Sequence, residues 1–464
     1  MAKKITTIIL CLFIVNCGNS NKKDNPTKTI ENNPIVFNTN TKDISILYNE
    51  HIIPFTIVSD KLNFPYTGNT NKVAFAAQND TIRFDLTPGK SILVDFIINK
   101  KDTITATVVG ASKPVSYNKK YIEENTGSYK VFAPEVHELV NIAIALTKRG
   151  REDSNMINLT SNYYKSVINH FEKFEDHPLL DSLNKNVTGN FNSSYNYYYN
   201  IKMNACMYSF EKNKIVNNSP FNRLGFEDSN YLEELIPLLN DFAQKSSFEI
   251  FYKENEDYYE SLISSYYRLV PLKKMWKWIE EKFPNRYQSY KVYFSPLVGG
   301  AHSTHEFSDN EFNETFMFIN APILSDTYST KEKEALLSRI VFTEIDHNYV
   351  NPMSSEFPET SSILNPIKCW NSDESQWYGN SSSTFNEYMT WAIYTLYMYD
   401  NFDIETFKKA NIDYTSVMVN GRGFHKFKEF NDFVLIWYKN NPEKPIKKLY
   451  PEVIRWIKKE NCED

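Results

Sequence analysis

The apolar pattern changes period once along this chain, and that change constrains the fold more than any other feature. Residues 35 to about 115 carry short β-branched and aromatic runs: IVFNT, FTIVS, KVAFAAQ, TIRFDLT, SILVDFII and TITATVV. Turn residues part them at Asn79-Asp80, Pro88-Gly89 and Lys101-Asp102. Thr81-Ile82-Arg83-Phe84-Asp85-Leu86 alternates polar with apolar, the period of a strand with one buried face. Strands at this spacing predict a small sandwich or sheet domain over 35–115, with no catalytic constellation in it. From Pro134 the period lengthens. PEVHELVNIAIALTKR puts Pro134 at a helix start and apolar residues at 136, 139, 140 and 142–146.

Further helices are predicted near 160–172, 229–245, 247–270 and 272–283, the last stopping before Pro284. Residues 185–220 are rich in Asn, Ser and Tyr and follow no clear period. Two strand-like pieces, 290–295 and 314–320, interrupt the helices, with a Gly/His loop over 298–305 between them. The second could be an edge that pairs with an extended peptide, or an interior strand. Helices are then expected over 331–350, 384–399, 425–440 and 446–460. The fold class is therefore α+β: a β-rich N-terminal domain, then a mainly α-helical domain with a small sheet over 130–460.

Composition excludes several classes. The chain has 464 residues, enough for two or three domains. With 41% hydrophobic and 23% charged residues it is not a disordered chain, and 13 Gly and 20 Pro exclude a collagen-like fibre. Basic residues number 51 against 57 acidic, with no long basic run, so no nucleic-acid partner is expected. Tyr197-Tyr198-Tyr199, Trp276 and Trp278 could stack sugars, but helical core is the plainer use.

The N-terminus reads as an address. Lys3 and Lys4 precede an almost wholly apolar stretch over 5–15, too short to span a bilayer as a helix and ordered like a secretory signal. Cys17 follows directly. This resembles the bacterial lipobox, whose cysteine is acylated, although Asn16 replaces the small residue usual before it. The reading is a signal peptide over 1–16 and a flexible polar tether over 17–34. The protein would be exported and lipid-anchored through Cys17 to the cell envelope, at the outer membrane. The later cysteines, Cys206, Cys369 and Cys462, form no C-x-x-C, and no disulfide is expected.

The stretch that carries chemistry is Val341-Phe342-Thr343-Glu344-Ile345-Asp346-His347-Asn348-Tyr349-Val350-Asn351-Pro352. On a helix, residues 343 and 347 share a face and Glu344 lies beside them. That is the geometry of H-E-x-x-H, in which two histidines bind zinc and the glutamate activates water. Taken alone, His347 could instead interact with a helix end, and Glu387 in Thr384-Phe385-Asn386-Glu387 fits a capping box. Asp346 lies about 100° further round the helix, where a surface or supporting role is expected.

The order of these pieces resembles a bacterial family catalogued as a domain of unknown function, whose members look like gluzincin metallopeptidases. The likeness covers roughly 130–460: a strand ending in Ser-Pro, a Gly-Gly loop, a second strand, the E-x-x-H helix with Asn-Pro after it, and a later helix bearing Glu387. It implies Glu344 as general base, His347 and Glu387 as ligands of a zinc ion, and a peptide or protein substrate. Tyr349 or Tyr388 would steady the oxyanion. One position departs from the family: Thr343 stands where its first ligand histidine belongs. A neutral hydroxyl is a poor zinc ligand. The site could be a pseudoenzyme's, keeping its cleft for a peptide or glycan. His302, His305 or Asp346 could replace the missing ligand, or Glu344 could itself become one.

Overall fold

The computed structural model describes residues 34–48, 51–57, 61–77, 80–187, 191–322, 327–372 and 378–460. The signal, Cys17 and the tether lie outside them. The described chain divides into two compact units. One runs to Ser116 and takes in Pro220–Asn230; the other holds Tyr117–Ser219 and everything from Tyr231. The architecture is α+β, with a β-rich N-terminal region and a helical C-terminal one.

The first unit contains β1 (Ile35–Thr39), β2 (Asp43–Tyr48), β3 (His51–Thr56), β4 (Lys61–Phe64), β5 (Asn71–Ala77), β6 (Asp80–Leu86), β7 (Ser91–Ile98) and β8 (Asp102–Gly110). They form two four-stranded sheets, ordered β1-β7-β8-β4 and β3-β2-β5-β6. Alternate residues of both sheets feed one core, and Phe75 meets Phe96 across it at 5.2 Å between ring centres. β2 and β4 are additions to the expected strands. Pro220–Asn230 is a second addition: Val115 bridges to Phe221, a return that no local pattern announces.

The second unit holds β9 (Ser128–Phe132), β10 (Tyr208–Glu211), β11 (Lys214–Asn217), β12 (Ser289–Ser295), β13 (Ser303–Asp309) and β14 (Phe312–Asn320). Its helices are α1 (Lys119–Asn125), α2 (Glu135–Leu146), α3 (Asn162–Phe171), α4 (Pro178–Val187), α5 (Phe191–Ala205), α6 (Leu232–Lys245) and α7 (Phe248–Glu254). The rest are α8 (Glu256–Leu269), α9 (Leu272–Lys282), α10 (Thr330–Ser355), α11 (Ser381–Asn401), α12 (Ile404–Ser416), α13 (Phe427–Asn440) and α14 (Leu449–Ile457). The aperiodic stretch thus resolves into α4, α5 and the β10–β11 hairpin.

The main sheet of this unit is ordered β13-β14-β12-β9, so the 314–320 piece is interior and β13 is the edge. The sequence pattern gives no strand at β13. It turns into β14 through Asn310 and Glu311, both at positive φ, the geometry of a two-residue hairpin without its usual glycine. The sheet is pinned by a buried knot on Glu314: Lys291 lies 3.1 Å from its carboxylate, and Tyr121 and Ser289 donate to it at 2.8 and 2.7 Å.

Helix α10 lies against β13, β14 and α11. It begins in a capping box, Ser329 with Glu332, and runs through Pro352 rather than ending before it. Proline leaves the Asn348 carbonyl without its helical N–H. The Tyr287 hydroxyl, which donates to the Glu306 carboxylate, also lies 3.2 Å from that oxygen and shares its proton with it. Helix α11 starts at the Asn380 cap, whose side chain accepts from the Ser383 N–H. The Gly/His loop owes its glycines to close approach. A Cβ on Gly299 would meet the Ser154 carbonyl oxygen at 2.2 Å, and one on Gly300 the Asn155 side chain at 2.4 Å.

Cys369 is disulfide-bonded, contrary to expectation, and its partner lies outside the described residues; Cys206 is a free thiol.

Candidate functional site

Packing of α10 on α11 brings His347 to Glu387. His347 Nε2 stands 3.7 Å from Glu387 Oε2. The imidazole Nδ1 has Asn351 and Thr390 at 3.5 Å. His347 therefore sits within a helix and faces a carboxylate, not a helix terminus. Glu387 lies in the second turn of α11, with Asn380 as the cap, so its capping role is also excluded. Its carboxylate is buried and accepts from Trp391 Nε1 at 2.8 Å and from Arg422 at 2.5 Å. Burial alone would raise its pKa, but Arg422 and then His347 outweigh burial and hold it below the usual range.

Arg422 has no counterpart among the residues picked out by pattern. It follows a short π-helical turn, Val417–Gly421, and no local signal marks it. Its other nitrogen donates to the Tyr378 hydroxyl at 2.8 Å, and its guanidinium stands 5.0 Å from the centre of the Trp391 ring. Burial opposes its charge; Glu387 and Tyr378 more than restore it.

Glu344 lies in the field of a second cation that sequence reasoning missed, Lys202 of α5. Lys202 is fully buried, donates to the Ala301 carbonyl and lies over the rings of Tyr198 and Tyr199. Burial draws its pKa down to about 7, with Glu344 pulling the other way. Burial, then the negative charge of Glu387, pushes the Glu344 carboxyl up to about 8, while Lys202 and Arg422 oppose the rise. Glu344 forms no hydrogen bond among the described residues.

The other candidates separate. Thr343 turns its hydroxyl into its own helix, donating to the Arg339 carbonyl at 3.0 Å and the Ile340 carbonyl at 3.3 Å. Asp346 is not at the surface. It is fully buried, both oxygens have no hydrogen-bond partner among the described residues, and burial, followed by the charges of Glu387 and Glu344, pushes its pKa well above the usual carboxylate range. Tyr349 faces the core, 2.5 Å from the Tyr290 hydroxyl, and Tyr388 donates to the Trp370 carbonyl at 2.7 Å. Neither hydroxyl points at His347. His302 bonds the Gly299 backbone through its ring, and its buried Nε2 has no partner among the described residues. Burial lowers its pKa to about 3, with Lys202, Arg339 and Arg422 acting in the same direction. His305 lies on β13, its ring 4.4 Å from that of Phe307.

These residues do not fit a zinc ion. The position of the first ligand is a hydroxyl turned inward, the third is held by a guanidinium, and the charges that bear on His302 are all cations. Among the described residues no group of three His, Cys, Asp or Glu converges. A zinc ion between His347 and the second oxygen of Glu387 would have two protein ligands where catalytic zinc takes three, with the Arg422 cation already on the other oxygen of that carboxylate.

Beside His347 a groove of about 360 Å³ runs between α10 and the edge strand β13. Thr304, His305, Glu306, His347, Asn348 and Asn351 line it. Among the described residues no helix is long and apolar enough to cross a membrane. The chain matches no protein-family model, no curated protein and no solved structure.

Proposed function

We propose that this protein is an exported lipoprotein that binds peptide in the groove between β13 and α10, on a scaffold resembling a gluzincin peptidase whose metal position is closed. One observation carries the reading: Arg422 sits on Glu387 at 2.5 Å, so a resident side chain already supplies the positive charge a metal would supply. The groove supports peptide as the ligand class, because an edge strand can add an extended chain and the lining side chains can sort its residues. The signal-like N-terminus and Cys17 support an anchor in the cell envelope, at the outer membrane. The disulfide at Cys369 accords with an oxidising compartment.

The catalytic alternative, a divergent zinc peptidase with Glu344 as base, draws on the 3.7 Å approach of His347 to Glu387. Metal content separates the two. The full-length chain, purified in detergent, is analysed by inductively coupled plasma mass spectrometry beside Thr343→His, His347→Ala and the double variant Thr343→His/Arg422→Gln. No zinc in the parent, and zinc gained only by the double variant, is the expected result. Stoichiometric zinc in the parent that is lost in His347→Ala would overturn the proposal and restore the catalytic reading.

A further inference from the structure

The two arginines of the cleft differ in what they hold. Arg422 is taken up by Glu387 and Tyr378. Arg339, on α10 one turn before Thr343, has neither a hydrogen bond nor an ion pair through its side chain among the described residues. Its guanidinium is half-buried and stands 4.9 Å from the centre of the Trp391 ring, the indole that Arg422 also flanks. Stacking on an indole fixes the plane of a guanidinium and leaves its donors to reach outward. Burial and the like charge of Arg422 both disfavour Arg339 as it stands. His302 Nε2, also without a partner, lies in the field of the same arginines. The Arg339 guanidinium thus has donors without an acceptor among the described residues.

Its position relative to the groove supplies the ligand. Arg339, Thr343 and His347 recur every fourth residue, so each neighbours the next along a stripe of α10 that drifts about 40° per step. Arg339 lies about 12 Å along the helix from His347 at 1.5 Å per residue. Three to four residues of extended chain cover about that distance. His302 directly precedes β13, and Thr304 of β13 meets Asn348 of α10 at 3.4 Å. A strand laid antiparallel on β13 therefore ends, at its own C-terminus, on the His302 side.

We infer that Arg339 receives the C-terminal carboxylate of a peptide bound antiparallel to β13. The inference rests on the peptide-binding reading above and narrows it to free chain ends. A guanidinium held flat meets a carboxylate through two parallel hydrogen bonds, a recognition that an amidated terminus cannot complete.

The test uses the full-length chain in detergent, immobilised, with two equimolar random tetrapeptide libraries, one of free acids and one of C-terminal amides. Retained peptides are read by mass spectrometry. The acids are expected to be retained at least tenfold over the amides, and Arg339→Gln to abolish that preference. Arg339 has no side-chain hydrogen bond or ion pair to lose, so Arg339→Gln should melt within a few degrees of the parent, which a thermal scan checks. Acids and amides retained alike, in parent and Arg339→Gln, would overturn the carboxylate site and leave peptide binding standing. Retention of neither library would overturn both. A rise in melting temperature with inorganic phosphate, absent in Arg339→Gln and without peptide retention, would assign the pocket to a free oxyanion and overturn the inference.

Discussion

Arg422 and His347 approach opposite oxygens of one buried carboxylate, Glu387, at 2.5 and 3.7 Å. Arg422 and Trp391 both donate to one oxygen, Trp391 at 2.8 Å, and the His347 imidazole lies off the other. Removing one partner of such a pair strands a charge in a poorly solvated place. Arg422→Ala should therefore destabilise the second unit by about 3–5 kcal/mol, the usual loss for a broken buried pair. Arg422→Lys should fall between, because it keeps the charge and loses the fork that reaches Glu387 and Tyr378 together. Urea denaturation of the three proteins gives the order. Equal midpoints would remove Arg422 from its proposed place as the site's resident cation.

Glu344 predicts a pH dependence with a definite sign. Its carboxyl is pushed up to about 8 in the folded protein, above the ordinary range near 4.5. The folded state holds this proton more tightly than the unfolded chain. Its contribution to stability is therefore whole below about pH 4.5 and is lost as pH rises through about 8. Glu344→Gln stays neutral throughout. The variant should match the parent near pH 4.5 and gain on it steadily up to pH 8, by at most about 1.4 kcal/mol for each step of one in pH. Melting temperatures of both proteins from pH 4.5 to 9 test this. Parallel curves would mean that Glu344 is not held protonated.

The Tyr287 hydroxyl shares one proton between the Glu306 carboxylate and the Asn348 carbonyl of α10. Tyr287→Phe should leave both acceptors without it and cost about 1–3 kcal/mol. Hydrogen exchange should quicken around 348–355 while the N-terminal half of α10 stays protected. Uniform change along the helix would contradict the local role.

Gly299 is held by contact with backbone. Its replacement by Ala places a methyl 2.2 Å from the Ser154 carbonyl oxygen, so the loop or its neighbour must move. A loss of about 1–3 kcal/mol is expected, in the range of overpacked sites. Calorimetry checks it, and a silent Gly299→Ala would show that the loop yields freely.

The parts of the fold legible in the sequence are those with a strong period. Thr81–Leu86 alternates and lies in β6; the run from Pro134 repeats at helical spacing and is α2, with Pro134 at its cap. β13 is hidden because its hairpin turns on Asn310-Glu311 and lacks the glycine that signals such turns. α5 is hidden because Tyr and Asn fill both faces of a helix whose buried positions include Lys202. Within the site, the spacing of Glu344 and His347 and the later Glu387 are readable, and the helices bring the last two together. Arg422 is not. Its place depends on where a turn between α12 and α13 returns, which is tertiary information. Arg339 does leave a trace, four residues before Thr343 on the same face, but an arginine on a helix is most often a solvated one.

The contact between Arg422 and Glu387 also orders the changes by which a chain like this one could come to hold a metal. A histidine at 343 gains little while the guanidinium already neutralises the carboxylate. Loss of the guanidinium alone leaves that carboxylate buried and uncompensated. Each single step is neutral or harmful, and only the pair is productive. Natural variation should reflect this: Thr343 and Arg422 should change together or not at all, so that drift alone seldom crosses between the two arrangements.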